Sequence, residues 1–158
     1  MAPGRREFGV AVFDGIELAY FAVQTIQNRH SEKLLKNEIS ELVEELIAFS
    51  KPKTVAIKAI SQYQKTSSVL ELTIKIIKRQ AVANQIPVEE ISLEQIKAML
   101  GNDKKPTQKK VFQNLTVLYP ELKQYLSRPN KWQNEYYHNL FSAVAVGVVC
   151  LKSLSESK

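Results

Sequence analysis

The chain has 158 residues, of which 44% are apolar and 24% are charged, with a net charge of +6 and a pI near 9.4. This length and composition suit one globular domain and exclude a disordered tail, a collagen-like repeat and a small disulfide scaffold. The single cysteine, Cys150, cannot form an internal disulfide, so we expect a reducing, cytoplasmic location. No apolar run reaches the roughly 18 to 20 residues of a membrane span, and the N-terminus lacks a secretory apolar core. The positive charge permits a polyanionic partner without establishing one.

The first predicted elements are a β-hairpin and a helix. Two β-rich runs, 8–13 and 16–26, flank Asp14-Gly15, a dipeptide that tolerates the positive φ of a tight turn. We therefore assign Asp14 to the turn and not to chemistry. A helix is predicted from Ser31 to Lys51-Pro52, since apolar residues recur there at spacings of three and four. Its apolar stripe comprises Leu35, Ile39, Leu42, Leu46 and Phe49.

The remainder of the chain alternates between predicted strands and helices. We first predict a buried parallel strand at 53–57, a helix at 69–85 and an edge strand at 86–91. A short helix follows from 92 to 100. After the basic stretch 102–110 we predict a helix that ends at 118, and then a last helix at 134–154. Residues 140–151 are apolar on all sides apart from Ser142, which indicates a helix buried against the sheet. With no repeat or interior linker, we predict a single α/β domain over residues 1–158.

This order of elements resembles the ribonuclease H-like fold, a mixed sheet flanked by helices. Residues 3–12, Pro-Gly-Arg-Arg-Glu-Phe-Gly-Val-Ala-Val, resemble the phosphate-contacting turn and second strand of RuvC-type Holliday junction resolvases and their YqgF relatives. Residues 55–57 resemble the family strand that ends in a catalytic Glu. Residues 64–100 resemble the helix, strand and helix that follow it. Gly101-Asn102 and then 107–111 resemble the family's Gly-rich basic turn, and 142–146 lie where the family has Asp-Ala-Leu-Ala. The resemblance covers nearly the whole chain.

The resemblance implies a magnesium-dependent endonuclease, but the matching positions lack its carboxylates. Hydrolysis of a phosphodiester by two Mg²⁺ ions needs several Asp or Glu oxygens converging at the end of the sheet. The four family positions are occupied here by Ala2, Lys58, Asn139 and Ser142. We therefore expect no catalytic residue, no metal and no other cofactor, with Mg²⁺ expected only in an active family member.

The resemblance also implies a central first strand before Pro3-Gly4, and in this sequence that strand is missing or truncated. Three explanations remain open: a start assigned too far downstream, a sheet re-paired in a new order, or a strand donated by another chain. We expect a truncated or re-paired sheet within an oligomer.

Other side chains near the four positions have alternative interpretations. Glu135 lies four residues before Asn139 on the same helix face, where it either pairs with Lys58 or, as we favour, is simply exposed. Neither His138 nor His30 has a motif partner for acid-base chemistry, so we interpret both as structural or solvent-facing. We place Cys150 in the core.

The basic residues are the strongest candidates for function. Arg5 and Arg6 belong to the turn that approaches the phosphate backbone in the resembling family. Lysines on connections predicted to flank the same cleft are Lys65, Lys104, Lys105, Lys109 and Lys110. They either neutralise phosphates, giving salt-sensitive binding, or form an ordinary solvated face. Aromatic side chains that could stack on unpaired bases are Tyr63, Trp132, Tyr136 and Tyr137. For Tyr136 and Tyr137 we favour packing in the core or in a dimer.

Three functions follow from this interpretation. The first is a pseudoenzyme homologous to junction resolvases that binds branched DNA or structured RNA. The second is a scaffold subunit that keeps the fold and forms a homodimer or binds a protein partner. The third is an active metal-dependent junction endonuclease whose acids come from a partner or from residues upstream of a misplaced start. No membrane partner is expected.

Overall fold

The structure is a computed structural model that describes residues 1–61, 67–126 and 131–157. Its strands are β1 (Ala2–Pro3), β2 (Glu7–Asp14), β3 (Glu17–Thr25), β4 (Val55–Lys58) and β5 (Val88–Ile91). Its helices are α1 (Glu32–Ser50), α2 (Ser68–Ala83), α3 (Leu93–Leu100), α4 (Gln108–Leu118), α5 (Lys123–Leu126) and α6 (Lys131–Glu156), with a 3₁₀ turn at Pro120–Leu122. Lys65, Tyr63 and the side chain of Trp132 lie outside the described part of the chain.

The strands lie in the order β3-β2-β1-β4-β5. β1 and β3 both pair antiparallel with β2, and β4 pairs parallel with β5. Two backbone hydrogen bonds join the two groups: the Met1 nitrogen donates to the Ala56 carbonyl at 2.8 Å, and the Lys58 N–H donates to the Met1 carbonyl at 3.1 Å. β1 is therefore short but central, between the hairpin and β4, where the resemblance places strand one. The alternative of a re-paired strand order is wrong.

The hairpin turn is displaced by one residue from the prediction. Asp14 is the last residue of β2 and is paired with Glu17, so the two-residue loop is Gly15-Ile16. Of the two loop residues, only Gly15 has a positive φ, of 60°. A positive φ at the first of the two loop residues is the geometry of a type II′ turn. The assignment of Asp14 to the loop itself is wrong.

Alternation along the strands divides the core between the two faces of the sheet. One face packs on α1 and α2 through Phe8, Val10, Val55 and Ile57. The opposite face, here called the α6 face, carries Ala11, Phe13 and Ala56 against α6, α3 and α4. The sheet therefore has helices on both faces, as the sequence predicts.

The apolar stripe of α1 differs from the prediction at its C-terminal end. The buried side chains follow an i, i+4 row, Leu35, Ile39, Val43 and Ile47. Leu42 and Leu46 flank this row and are half-buried. Phe49, in contrast, is 69% exposed, and its ring meets that of Tyr20 edge-on, with the ring centres 5.8 Å apart. The inclusion of Phe49 in the core stripe is wrong.

Side-chain caps fix the beginnings of the first four helices. The caps are Ser31, Ser67, Ser92 and Thr107. The Ser92 hydroxyl and the Gln95 side chain form a reciprocal capping box, which confirms the predicted start of α3.

Helix α6 is the central element of the core. Residues 140–146 and 148–150 are buried, which confirms the prediction of a buried helix and places Cys150 in the core. Among the described residues, Gln133–Glu156 alone is long and apolar enough to cross a membrane, by length and composition, and over half of its most apolar window is buried within the fold. A core helix has these same properties.

Candidate functional site

Two strand positions direct their side chains towards α6. Ala2 is paired with Gly9, and Lys58 is two residues beyond Ala56 on β4. Because paired residues share a face and residues two apart on a strand share a face, Ala2, Gly9, Ala56 and Lys58 all lie on the α6 face. Ala2 is only 1% exposed, and Lys58 is half-buried.

Two glycines let α6 approach this part of the sheet. A Cβ on Gly9 would overlap the carbonyl oxygen of Asn139 and lie 2.5 Å from its carbonyl carbon. A Cβ on Gly4, in the turn after β1, would lie 3.1 Å from Asn139 Nδ2 and 2.8 Å from the Glu7 carbonyl oxygen. The Asn139 amide is therefore packed over the turn that follows Ala2. The role of these glycines was not predicted, although each lies within the motif quoted for the family resemblance.

Lys58 reaches Ser142 on α6. Its Nζ donates a hydrogen bond of 3.4 Å to the Ser142 hydroxyl, which is 3% exposed. Burial lowers the pKa of the Lys58 ammonium, because water is replaced by a less polar environment that disfavours the charged form. The positions of Ala2, Lys58, Asn139 and Ser142, which sequence reasoning grouped, are thus brought together at the carboxyl end of β4.

His138 lies beside the same group and is neutral at physiological pH. Burial, with a further contribution from the Lys58 charge, lowers its pKa from 6.5 to about 4. Its ring meets the edge of Phe112 on α4, with the ring centres 5.2 Å apart, and Phe112 also stacks on Phe141 at 5.0 Å. His138 is therefore a packed, uncharged neighbour of the ammonium.

The sequence matches a known protein family, and the fold matches solved structures. The family description "Crossover junction endodeoxyribonuclease RuvC" matches residues 1–127. The chain belongs to the RuvC family. A structure of the Thermus thermophilus RuvC in complex with a Holliday junction substrate superposes with a TM-score of 0.75 at 16% identity, covering 98% of this chain and 92% of that chain. A second T. thermophilus RuvC structure superposes with a TM-score of 0.74 at 16% identity, over 98% and 93% of the two chains. A search of the curated proteins found no match. These findings confirm the family and the ribonuclease H-like, RuvC-like fold, and the chain is a homologue of Holliday junction resolvases.

The four side chains brought together here do not suit Mg²⁺. Mg²⁺ prefers several charged oxygen ligands in octahedral geometry, whereas the site offers an alanine methyl group, an ammonium, one amide and one hydroxyl. Across residues 1–61, 67–126 and 131–157, no three His, Cys, Asp or Glu side chains are grouped so as to hold a metal ion.

Glu135 does not pair with Lys58. Within the described structure, the ammonium has no carboxylate at ion-pair distance, and burial alone accounts for its lowered pKa. Glu135 is exposed, and its charge acts on Glu7, whose pKa is raised mainly by burial and further by Glu135, against the opposing effects of Arg6 and Arg29. The favoured interpretation of Glu135 as exposed is confirmed.

The basic side chains predicted to bind phosphate lie on two exposed segments of this RuvC-family chain. Arg5 and Arg6 are exposed in the turn directly after β1, next to Gly4. Lys104, Lys105, Lys109 and Lys110 are exposed before and within the first turn of α4. Lys109 lies one turn before Phe112, so the start of α4 borders His138.

Two of the candidate aromatic residues pack within the protein. The Tyr136 hydroxyl donates a 3.1 Å hydrogen bond to the Val23 carbonyl of β3, and the Tyr137 ring lies 4.8 Å from that of Tyr125. Both contacts agree with the favoured interpretation that these two side chains pack within the protein. A cavity of about 280 Å³ lies at the carboxyl ends of β4 and β5, lined by residues 59–61 and 92–94, which include the acidic Glu94.

Proposed function

We propose that this RuvC-family protein binds branched nucleic acid and does not cleave it by the metal-dependent chemistry of its family. The observation that carries the proposal is the position of the Lys58 ammonium. Its Nζ lies 3.4 Å from the Ser142 hydroxyl oxygen, and the family resemblance implies a metal-binding carboxylate at both of these positions. A lysine in this position adds a positive charge to a site that would have to gather two more cations.

The repulsion between the Lys58 ammonium and a metal ion bound beside it would be large. Two like unit charges 4 Å apart repel by about 4 kcal/mol at the effective dielectric constant typical of protein surfaces, and a divalent ion doubles the charge involved. Neither Ser142 nor Asn139 carries a negative charge to offset this repulsion. Buried Ala2 offers no ligand atom on its side chain.

The charge distribution supports nucleic-acid binding. The chain carries a net charge of +6, and the described candidate cations on the turn after β1 and at the start of α4 are all exposed. Such residues neutralise phosphates and yield an affinity that falls steeply with salt. The solved T. thermophilus RuvC in complex with a Holliday junction substrate adds support from a protein of the same fold.

The test is a titration of a four-way DNA junction, a linear duplex and a structured RNA with the protein at two salt concentrations. We expect binding to the junction that weakens as salt rises, and no cleavage when Mg²⁺ is added. Cleavage that requires Mg²⁺ and stops with a chelator would overturn the proposal, as would the lack of any binding at low salt.

Exposed apolar side chains favour a second candidate, a scaffold subunit that binds protein. Ile16 and Val117 are 81% and 76% exposed, and a 3.0 Å hydrogen bond from the Tyr119 hydroxyl to the Ile16 carbonyl holds the hairpin turn near the end of α4. Failure to bind nucleic acid, together with self-association in sedimentation that Ile16→Ser abolishes, would favour this candidate.

A further inference from the structure

We propose that the Lys58 ammonium is itself the phosphate-binding group of this site, receiving a nucleic-acid phosphodiester without any divalent cation. The inference rests on the proposed function and goes further, because it names the atom and the ligand. In a metal-dependent nuclease, bound cations attract the phosphate to a cluster of carboxylates. Here a cation that is part of the chain would do so directly.

The first argument is the unbalanced charge of Lys58. The side chain is half-buried, and its one hydrogen bond in the described structure is the long 3.4 Å contact to a neutral hydroxyl. A desolvated charge without a counter-ion is costly, and an opposite charge arriving in the site offsets that cost. The site is therefore complementary to an anion.

The second argument concerns the groups that surround the ammonium. Ser142 and Asn139 are neutral, so neither supplies a negative charge to pair with the ammonium. His138, with a pKa of about 4, adds no charge at neutral pH. Glu135, the acid suggested by sequence as a partner, is exposed and does not pair with the lysine. In the described structure, no carboxylate lies at ion-pair distance from Nζ.

The third argument is access. The cavity of about 280 Å³ at the carboxyl ends of β4 and β5 is lined by residues 59–61 and 92–94, among them the acidic Glu94, and not by Lys58, so it is not the path of a phosphate to the ammonium. On the other side, the turn that carries exposed Arg5 and Arg6 follows β1, which is joined to β4 by the backbone bond between Lys58 and Met1. A nucleic-acid backbone running along this edge of the sheet would meet both arginines and the lysine.

The experiment compares Lys58→Met with Lys36→Met in junction binding with a chelator present. Lys36 is a matched control because it is exposed on α1, on the opposite side of the sheet, and loses the same charge. We expect Lys58→Met to weaken binding about tenfold or more, since a hydrogen bond to a charged group is being lost. The slope of log K against log salt should also become shallower by about 0.9, as for one phosphate contact, while Lys36→Met has little effect.

The outcomes separate the two proposals. If the wild-type protein does not bind the junction, the proposed function fails. If the wild type binds and Lys58→Met binds with the same affinity and salt slope, only the role of Lys58 fails.

A measurement on the wild-type protein avoids any dependence on the folding of the variant. The NMR signals of the Lys58 Nζ and Cε are followed while four-way junction DNA or inorganic phosphate is added in the presence of a chelator. We expect the junction to shift these signals at far lower concentration than phosphate does. A shift with phosphate alone would mean a simple anion site, and no shift with either would exclude a phosphate ligand. Both results would overturn the inference.

Discussion

Gly9 on β2 and Asn139 on α6 touch through their backbones. A Cβ on Gly9 would overlap the Asn139 carbonyl oxygen and would also lie 3.2 Å from the nitrogen of Leu140. This contact sets the distance between α6 and the sheet. Since Ser142 is one helical turn beyond Asn139, the same contact determines how Ser142 meets Lys58. The glycine therefore positions the site as well as the core.

We expect Gly9→Ala to destabilise the protein by about 3 kcal/mol, at the upper end of the usual cost of overpacking, because the atoms in the way are backbone and cannot rotate aside. Denaturant unfolding followed by circular dichroism measures this. Gly15→Ala is the control: its Cβ would meet nothing within 4 Å, and only the positive φ of 60° opposes it. That variant should lose about 1 kcal/mol. Equal losses in the two variants would show that the close approach of β2 and α6 is not tight.

Lys58→Met should stabilise the folded protein at neutral pH. The lowered pKa of Lys58 means that folding disfavours its charged form, and methionine fills a similar volume without a charge. The gain should shrink as the pH rises from the folded pKa of the lysine towards 10.5, since deprotonation of the wild-type lysine relieves the same penalty. Thermal unfolding at several pH values tests both statements, and a less stable Lys58→Met variant at neutral pH would contradict them.

The charge of Lys58 also acts on His138. Burial is the main reason that the His138 pKa is about 4, and the Lys58 ammonium is the second reason. We therefore expect Lys58→Met to raise the His138 pKa, without bringing it to 6.5, because burial remains. NMR titration of the imidazole carbon-bound protons measures the pKa in both proteins. An unchanged value would mean that the two side chains do not sense each other.

His138 should make the protein less stable in acid. Its pKa is about 4 in the folded state and near 6.5 in the unfolded chain, so between these values the unfolded chain binds the proton and the folded state does not. Stability is therefore lost as the pH falls from 6.5 to 4, by up to about 3 kcal/mol. His138→Phe, which keeps an aromatic ring beside Phe112, should lose much of this pH dependence. His30→Phe, at an exposed histidine, should retain it.

The sequence allowed the layers of the fold to be predicted, because they depend on local patterns. The i, i+4 row of α1, the Ser92 capping box and the run of buried residues in α6 all occur where periodicity and capping place them. Phe49 was wrongly included in the stripe because apolar spacings of three and four residues do not show where along the helix the surface that it packs on ends. Asp14 was misplaced by one residue because both Asp-Gly and Gly-Ile loops fit the same pattern of strands.

The candidate site was predictable only in part. Its members, Ala2, Lys58, Asn139 and Ser142, were grouped through the family resemblance, and the structure brings their positions together. The pairing of Lys58 depends on side-chain direction, which sequence spacing does not determine: Glu135 was on a suitable helix face, yet Ser142 is the residue that Lys58 reaches. The packing of Phe112 against His138 joins two helices distant in sequence and has no local signal.

Introducing carboxylates at the four positions tests the metal argument most directly. The combined variant Ala2→Asp, Lys58→Glu, Asn139→Asp and Ser142→Asp provides four acids in place of an ammonium and three neutral side chains. Without metal we expect it to be much less stable than the wild type, since positions 2 and 142 are almost fully buried and like charges would meet there. With Mg²⁺ at ten times its dissociation constant, binding should return about 1.4 kcal/mol, seen as a rise in Tm.

The wild type should show no such Mg²⁺-dependent rise, because Lys58 repels the ion and the site lacks anionic ligands. Ca²⁺ distinguishes a general cluster of acids from a magnesium site, since it accepts more ligands in looser geometry and should stabilise the combined variant as well. Reverting only residue 58 to lysine within that variant is the decisive control. If the single lysine abolishes the effect of Mg²⁺, its charge is sufficient to exclude the metal. If Mg²⁺ still raises the Tm, the charge of Lys58 does not exclude the metal, and that part of the argument fails.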